Sequence, residues 1–176
     1  FIGSLNKSYD FDPIINSIIH AKRDKLRLEF IICGDGEFFE TIKSQIGHYD
    51  NVVMPGWINR PQIKFLAELS SASLVPFKNI ENFQNNTPNK IVDSLMLGLP
   101  ILCELDGEVL KLISENEIGL KYDRSPSNSL YSCIKKIISD SQLQRKRALN
   151  SKKIYSKNFS YNKVYSSFVK HLESIK

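Results

Sequence analysis

Residues 87–100 read Thr-Pro-Asn-Lys-Ile-Val-Asp-Ser-Leu-Met-Leu-Gly-Leu-Pro, and their punctuation predicts one short helix closed at both ends. The Thr87 hydroxyl can cap it, Pro88 suits the first helical position, and Gly98 can take the left-handed conformation that stops it. Ile91, Val92, Leu95 and Met96 fall at the spacing of one buried face, whereas Lys90 and Asp93 lie together on the other side near the helix start. A helix N-terminus carries unpaired N–H groups and a partial positive charge, so with Lys90 it can hold a diphosphate, and Asp93 can accept hydrogen bonds from sugar hydroxyls. Taken alone, the two residues favour the plainer reading of a solvated ion pair worth roughly 0.2–0.5 kcal/mol.

Outward from this stretch, strand and helix alternate. Towards the amino end come a strand at Phe1–Leu5, a helix opening at Asp12-Pro13, a strand at Leu26–Cys33, a helix over about Glu37–Ile46 and a strand at Val52–Met54. A helix opening at Pro61, a strand at Ala72–Phe77 and a polar loop from Lys78 to Thr87 follow. Ile14, Ile15, Ile18 and Ile19 are the expected inner face of the first helix. On the other side come a strand at Pro100–Leu105, a helix near Glu108–Ser114 and a short strand at Gly119-Leu120. Helices near Ser127–Ser139, Ser141–Lys157 and Asn162–Ser174 complete the chain.

Alternation with nearly continuous apolar strands implies an α/β, Rossmann-like doubly wound parallel sheet of about six strands, with helices on both faces and extra C-terminal helices. In such sheets ligands bind outside the carboxyl ends of the strands. That rule selects Gly3-Ser4, Gly34-Asp35-Gly36, Gly56-Trp57 and the loop before Lys90, so the expected site is assembled from four separate turns.

The chain has 176 residues, 41% hydrophobic and 24% charged, which suits a single globular domain over residues 1–176 with its own core. No apolar run approaches the roughly 18–20 residues of a membrane span, and Phe-Ile-Gly-Ser-Leu at the start reads like the middle of a domain. The chain is therefore expected to be one half of a larger protein. Cys33, Cys103 and Cys133 are odd in number and set in apolar surroundings, which predicts reduced thiols in a cytoplasmic domain. With His20, His48 and His171, read as surface residues, they form no metal-ligand pattern and no nucleophile–base pair. The net charge of +5 is unevenly placed: residues 1–134 hold 13 Lys and Arg against 17 Asp and Glu, and residues 135–176 hold 11 against 2. This basic quarter fits an anionic surface, but taken alone it favours the plainer reading of solvated faces of terminal helices.

Gly-Ser after the first strand, Ile-Cys-Gly-Asp-Gly after the second, Pro-Gly-Trp after the third, Leu-Val-Pro-Phe on the fourth and then Pro-Asn-Lys-Ile-Val-Asp-Ser-Leu-Met-Leu-Gly-Leu-Pro-Ile carry a family resemblance. In order and spacing, over roughly Phe1 to Leu120, they resemble the carboxyl-terminal, donor-binding half of family-4 glycosyltransferases of the GT-B fold.

The resemblance implies a retaining hexosyltransferase-type enzyme, expected in bacterial surface polysaccharide or other glycoconjugate synthesis. It uses a UDP- or GDP-sugar as substrate and no cofactor or metal. Gly3, Ser4, Lys7 and Lys90 would meet the diphosphate, Asp93 the ribose, and Trp57 and Ile58 the base. Asn85, Thr87, Pro88 and Asn89 would lie on the sugar side. Of the two acids the family commonly carries seven residues apart, the second maps to Asp93 and the first falls at Asn85, an amide that hydrogen-bonds but carries no charge. Acceptor recognition and any catalytic base would belong to an N-terminal acceptor-binding domain, with no catalytic residue assigned here. The expected partners are the donor, that domain and an anionic membrane surface or lipid-linked acceptor at the inner face of the membrane, and no nucleic acid. A nucleotide-sugar epimerase-like domain and a non-catalytic nucleotide-binding module are the rival readings.

Overall fold

The computed structural model describes residues 1–175. Helices α1 (Asp12–Arg23), α2 (Phe39–Ile46) and α3 (Arg60–Leu69) alternate with strands β1 (Phe30–Cys33), β2 (Val52–Gly56) and β3 (Ser73–Val75). There follow α4 (Glu81–Gln84), α5 (Asn89–Leu97), β4 (Ile101–Cys103), α6 (Gly107–Asn116) and β5 (Gly119–Lys121). The chain ends with α7 (Ser129–Ser139), α8 (Ser141–Ile154), a π-helical turn (Tyr155–Phe159) and α9 (Tyr161–Ser174). All strand pairs are parallel: β1 pairs with β2, and β3, β4 and β5 pair in that order.

The described residues hold five strands in two sheets, where the sequence suggested about six in one. The difference lies at Phe1–Leu5, which forms one parallel bridge, Ile2 to Cys33, beside β1. After Gly3 the backbone leaves the ladder, and at Tyr9 it makes an antiparallel bridge with Phe77 beyond β3. Residues 1–10 thus join the two sheets, with one bridge to each and backbone hydrogen bonds beside them.

The alternation of side chains along each strand feeds two cores, one per face. Leu102 joins Phe30, Ile32, Tyr122 and the inner residues of α1, α2 and α7, whereas Ile101 and Cys103 join Val75, Ile91, Leu95, Val109 and Ile113. Helices therefore cover both faces, as the nearly continuous apolar strands require.

Several boundaries moved for identifiable reasons. Proline pushes the residue before it towards extended backbone, so Thr87 cannot open α5; Pro88 itself sits at the cap with ψ 147° and no side-chain cap bond, and the helix starts at Asn89. Gly98 ends the helix as expected, at φ 70°, with its N–H and that of Leu99 bonded to Leu95 and Ser94 carbonyls. The buried face of α5 is Ile91, Ser94 and Leu95, with Met96 48% exposed. Ser94 can sit inside because its hydroxyl lies 2.8 Å from both the Ser73 hydroxyl and the Lys90 carbonyl. In α1, Ile14 and Ile18 are fully buried but Ile19 faces out. The loop 78–87 contains α4, anchored by Asn79, whose amide donates to Asp106 and accepts from Gln84.

In α8 and α9 the basic residues are largely exposed, and α9 turns Val164, Tyr165, Phe168, Val169 and Leu172 outward, with the Tyr161 ring 4.2 Å from that of Tyr165. No helix in the described residues is long and apolar enough to cross a membrane.

Candidate functional site

The carboxyl ends of the strands are sewn together by backbone hydrogen bonds between turns. The Gly3 N–H donates to the Cys33 carbonyl at 3.0 Å, the Leu5 N–H to Asp35 at 2.9 Å, and the Gly34 N–H to Gly56 at 2.7 Å. Gly34 needs its missing side chain: at φ 126° a Cβ there would overlap the Gly3 carbonyl. The three glycine turns chosen from the sequence therefore meet on one rim.

The fourth element reaches them through Lys90. Its ammonium donates to the Ile2 carbonyl, and a Cβ placed on Gly3 would strike its Nζ. The Phe1 ring centroid lies 4.2 Å from Nζ and that of Tyr9 5.3 Å. Burial pulls the Lys90 pKa down to about 8, partly offset by the negative charge of Asp93. The ion-pair reading of Lys90 and Asp93 does not hold: the lysine turns inward over the glycine turns, and no ion pair joins it to Asp93 among the described residues. Asp93 stays largely exposed, with its pKa raised because partial burial outweighs the pull of Lys90.

The other expected positions vary. The Gly3 N–H is committed to Cys33, so it is not free to meet a ligand, and Ser4 stands exposed beside it with its hydroxyl accepting from Asn6 at 2.9 Å. Lys7 is exposed, and its N–H donates to Glu37 at 3.0 Å, which brings a carboxylate close to that turn. Trp57, 77% exposed, and half-buried Ile58 directly follow Gly56 on the same rim. Asn89 opens α5 beside Thr87 and Pro88. Asn85 is exposed at the end of α4, and no side-chain bond ties it to the Lys90 cluster.

Two features of the rim went unread. Phe1 and Tyr9 flank Lys90, a contact that depends on the Tyr9–Phe77 bridge and has no short-range signal. Beyond β4 and β5 the rim is charged. Buried Asp10, 7% exposed, pairs with Arg124 at 3.1 Å, and Lys121 lies 3.2 Å from Asp106 and 2.6 Å from Asp123. The Glu104 pKa is raised by burial and then by Asp10. Among the described residues no group of three or more His, Cys, Asp and Glu is placed to hold a metal ion.

A doubly covered parallel α/β fold with glycine turns meeting at the strand ends, and a cation against one of them, defines a Rossmann-like domain. The chain belongs to the glycosyl transferases group 1 family, whose family model matches residues 1–175. No curated protein matches it. Among solved structures it is similar to TarM of S. aureus in complex with fondaparinux, alpha-GlcNAc-glycerol and UDP, at 14% identity and TM-score 0.78, over 96% of this chain and 34% of that one. It is also similar to HepE of Anabaena in complex with UDP and glucose, at 20% identity and TM-score 0.75, over 98% and 48%. The C-terminal domain of the group 1 family protein LpcC from Francisella tularensis matches at 14% identity and TM-score 0.71, over 91% and 85%. The chain thus spans 34% of the TarM chain and 48% of the HepE chain.

Proposed function

We propose that this domain is the donor-binding, carboxyl-terminal half of a family-4 retaining glycosyltransferase, and that it takes a nucleoside-diphosphate sugar on the rim over Gly3, Gly34 and Gly56. The observation that carries this reading is the Lys90 ammonium, held against the Gly3 turn with no ion pair to Asp93 among the described residues. UDP and sugar in the TarM and HepE structures, and the match to an isolated C-terminal domain, support it.

In transfer, the bond from the anomeric carbon to the diphosphate oxygen breaks, a bond to an acceptor hydroxyl oxygen forms as that hydroxyl gives up its proton, and the nucleoside diphosphate leaves with the electron pair of the broken bond and its negative charge. Lys90 and the free N–H groups opening α5 stabilise that charge as it develops. Asp93 accepts hydrogen bonds from the ribose, Trp57 and Ile58 offer backbone to the base, and Ser4 and Lys7 border the diphosphate. The Gly3 carbonyl and its missing side chain shape the floor. Asn85, Thr87, Pro88 and Asn89 line the sugar side. The acceptor and any base belong to an N-terminal domain, and the basic helices from α7 onward lie near an anionic membrane with a lipid-linked acceptor in surface polysaccharide synthesis. Co-sedimentation with liposomes that ignores anionic lipid content would remove the membrane part.

Calorimetric titration of UDP and GDP into the parent, Lys90→Ala and Asp93→Ala tests the site. One nucleotide is expected to bind with micromolar to millimolar Kd and to be weakened by both changes. Unaltered affinity in both variants overturns the assignment.

A further inference from the structure

Lys90 is held by groups that orient a cation without neutralising it. A carbonyl accepts one of its three N–H bonds, and two aromatic faces stand within about 6 Å, the range in which a ring quadrupole attracts an ammonium. A carboxylate in the same place would cancel the charge that an anionic ligand needs. Among the described residues no carboxylate lies within ion-pair distance of Lys90, and Asp93 acts on it only from farther off.

Tyr9 is itself rigidly placed. Its ring centroid lies 5.2 Å from Phe1, 4.6 Å from Phe77 and 6.2 Å from Phe11. Its N–H donates to the Asn6 carbonyl at 3.2 Å, and its backbone bridges Phe77. Tyr9 is only half-buried, so it forms the outer wall of this aromatic cluster, and Phe1 forms the inner wall.

We propose that Tyr9 is a positioning residue for Lys90: together with Phe1 it fixes the ammonium above the glycine turns and leaves its whole charge for a diphosphate. The inference rests on the assignment of Lys90 to the diphosphate. The two rings thus touch the lysine and act on the anion through it, not on the ligand directly.

The test compares the parent, Lys90→Ala, Tyr9→Leu and Tyr9→Phe by calorimetry with UDP and GDP and with the bare nucleosides uridine and guanosine. A second readout is the ring-current shift of the Lys90 side-chain resonances. Tyr9→Leu is expected to weaken the diphosphate about five- to tenfold and the nucleoside less than about twofold, with the ring-current shift reduced. Tyr9→Phe is expected to restore both. Diphosphate affinity within twofold of the parent in Tyr9→Leu, while Lys90→Ala loses it, overturns the role of Tyr9 and leaves the donor site standing. Equal losses of diphosphate and nucleoside in Tyr9→Leu also overturn it, because they mark a general distortion. Parent-like binding in Lys90→Ala removes the donor-site assignment, and this inference with it.

Discussion

Lys90 and Lys121 stand on the same rim and meet opposite surroundings. Lys121 sits between Asp106 and Asp123, and its pKa is pushed up, chiefly by the hydrogen bond to Asp123, against the effect of burial. Lys90 has a carbonyl and two rings for neighbours, and burial lowers its pKa to about 8. One cation is neutralised inside the protein, and the other keeps a charge that burial makes costly. Under the proposed function, the half of the rim beside β1, where Lys90 stands without a carboxylate partner, is the half that takes the anion.

The sharpest way to break this comparison is to remove each cation. Lys90→Ala is expected to lower nucleoside-diphosphate affinity about 10- to 100-fold, the range for a charge-assisted hydrogen bond, while Lys121→Ala changes it less than about twofold. A calorimetric series in which Lys121 matters as much would erase the distinction. Acidity gives the next effect. Lys90 is charged below its pKa of about 8, so diphosphate affinity is expected to fall on the order of tenfold between pH 7 and 9.5, and this slope vanishes in Lys90→Ala.

Stability reports the same contrast with smaller effects. Because the folded pKa of Lys90 lies below its unfolded value, folding is opposed while the group is charged, and this penalty fades as pH rises through about 8. Lys90→Met is therefore expected to raise Tm at pH 7 and to raise it less at pH 9.5. For Lys121 the sign reverses: its folded pKa is raised, so its contribution is complete at neutral pH and is lost above the unfolded value of 10.5 as pH passes the folded one. Lys121→Met is expected to cost about 0.5–1 kcal/mol in urea unfolding at pH 7 and less at high pH.

Much of this arrangement was legible in the sequence. The glycine turns and the alternation of elements placed the rim, and Gly98 ended α5 where expected, because glycine and proline act through their own backbone. What stayed hidden depended on distant partners. Lys90 and Asp93 have the spacing of a surface ion pair, and only the fold reveals that the lysine meets Ile2, 88 residues away. Val92 and Met96 match the helical period, yet Ser94 takes the inward place because Ser73 answers its hydroxyl. The Asn59–Gln62 capping box that opens α3 ahead of Pro61 was a local signal that Pro61 obscured.

The three thiols offer a use beyond the ligand site. Cys33, Cys103 and Cys133 are all buried, and burial raises the pKa of each, that of Cys103 to about 12. A thiol reagent at neutral pH consequently meets almost no thiolate until the packing around the strands and α7 opens. The pace of alkylation then becomes a clock for transient opening, readable without dye or label, and a molecule that grips the rim should slow it.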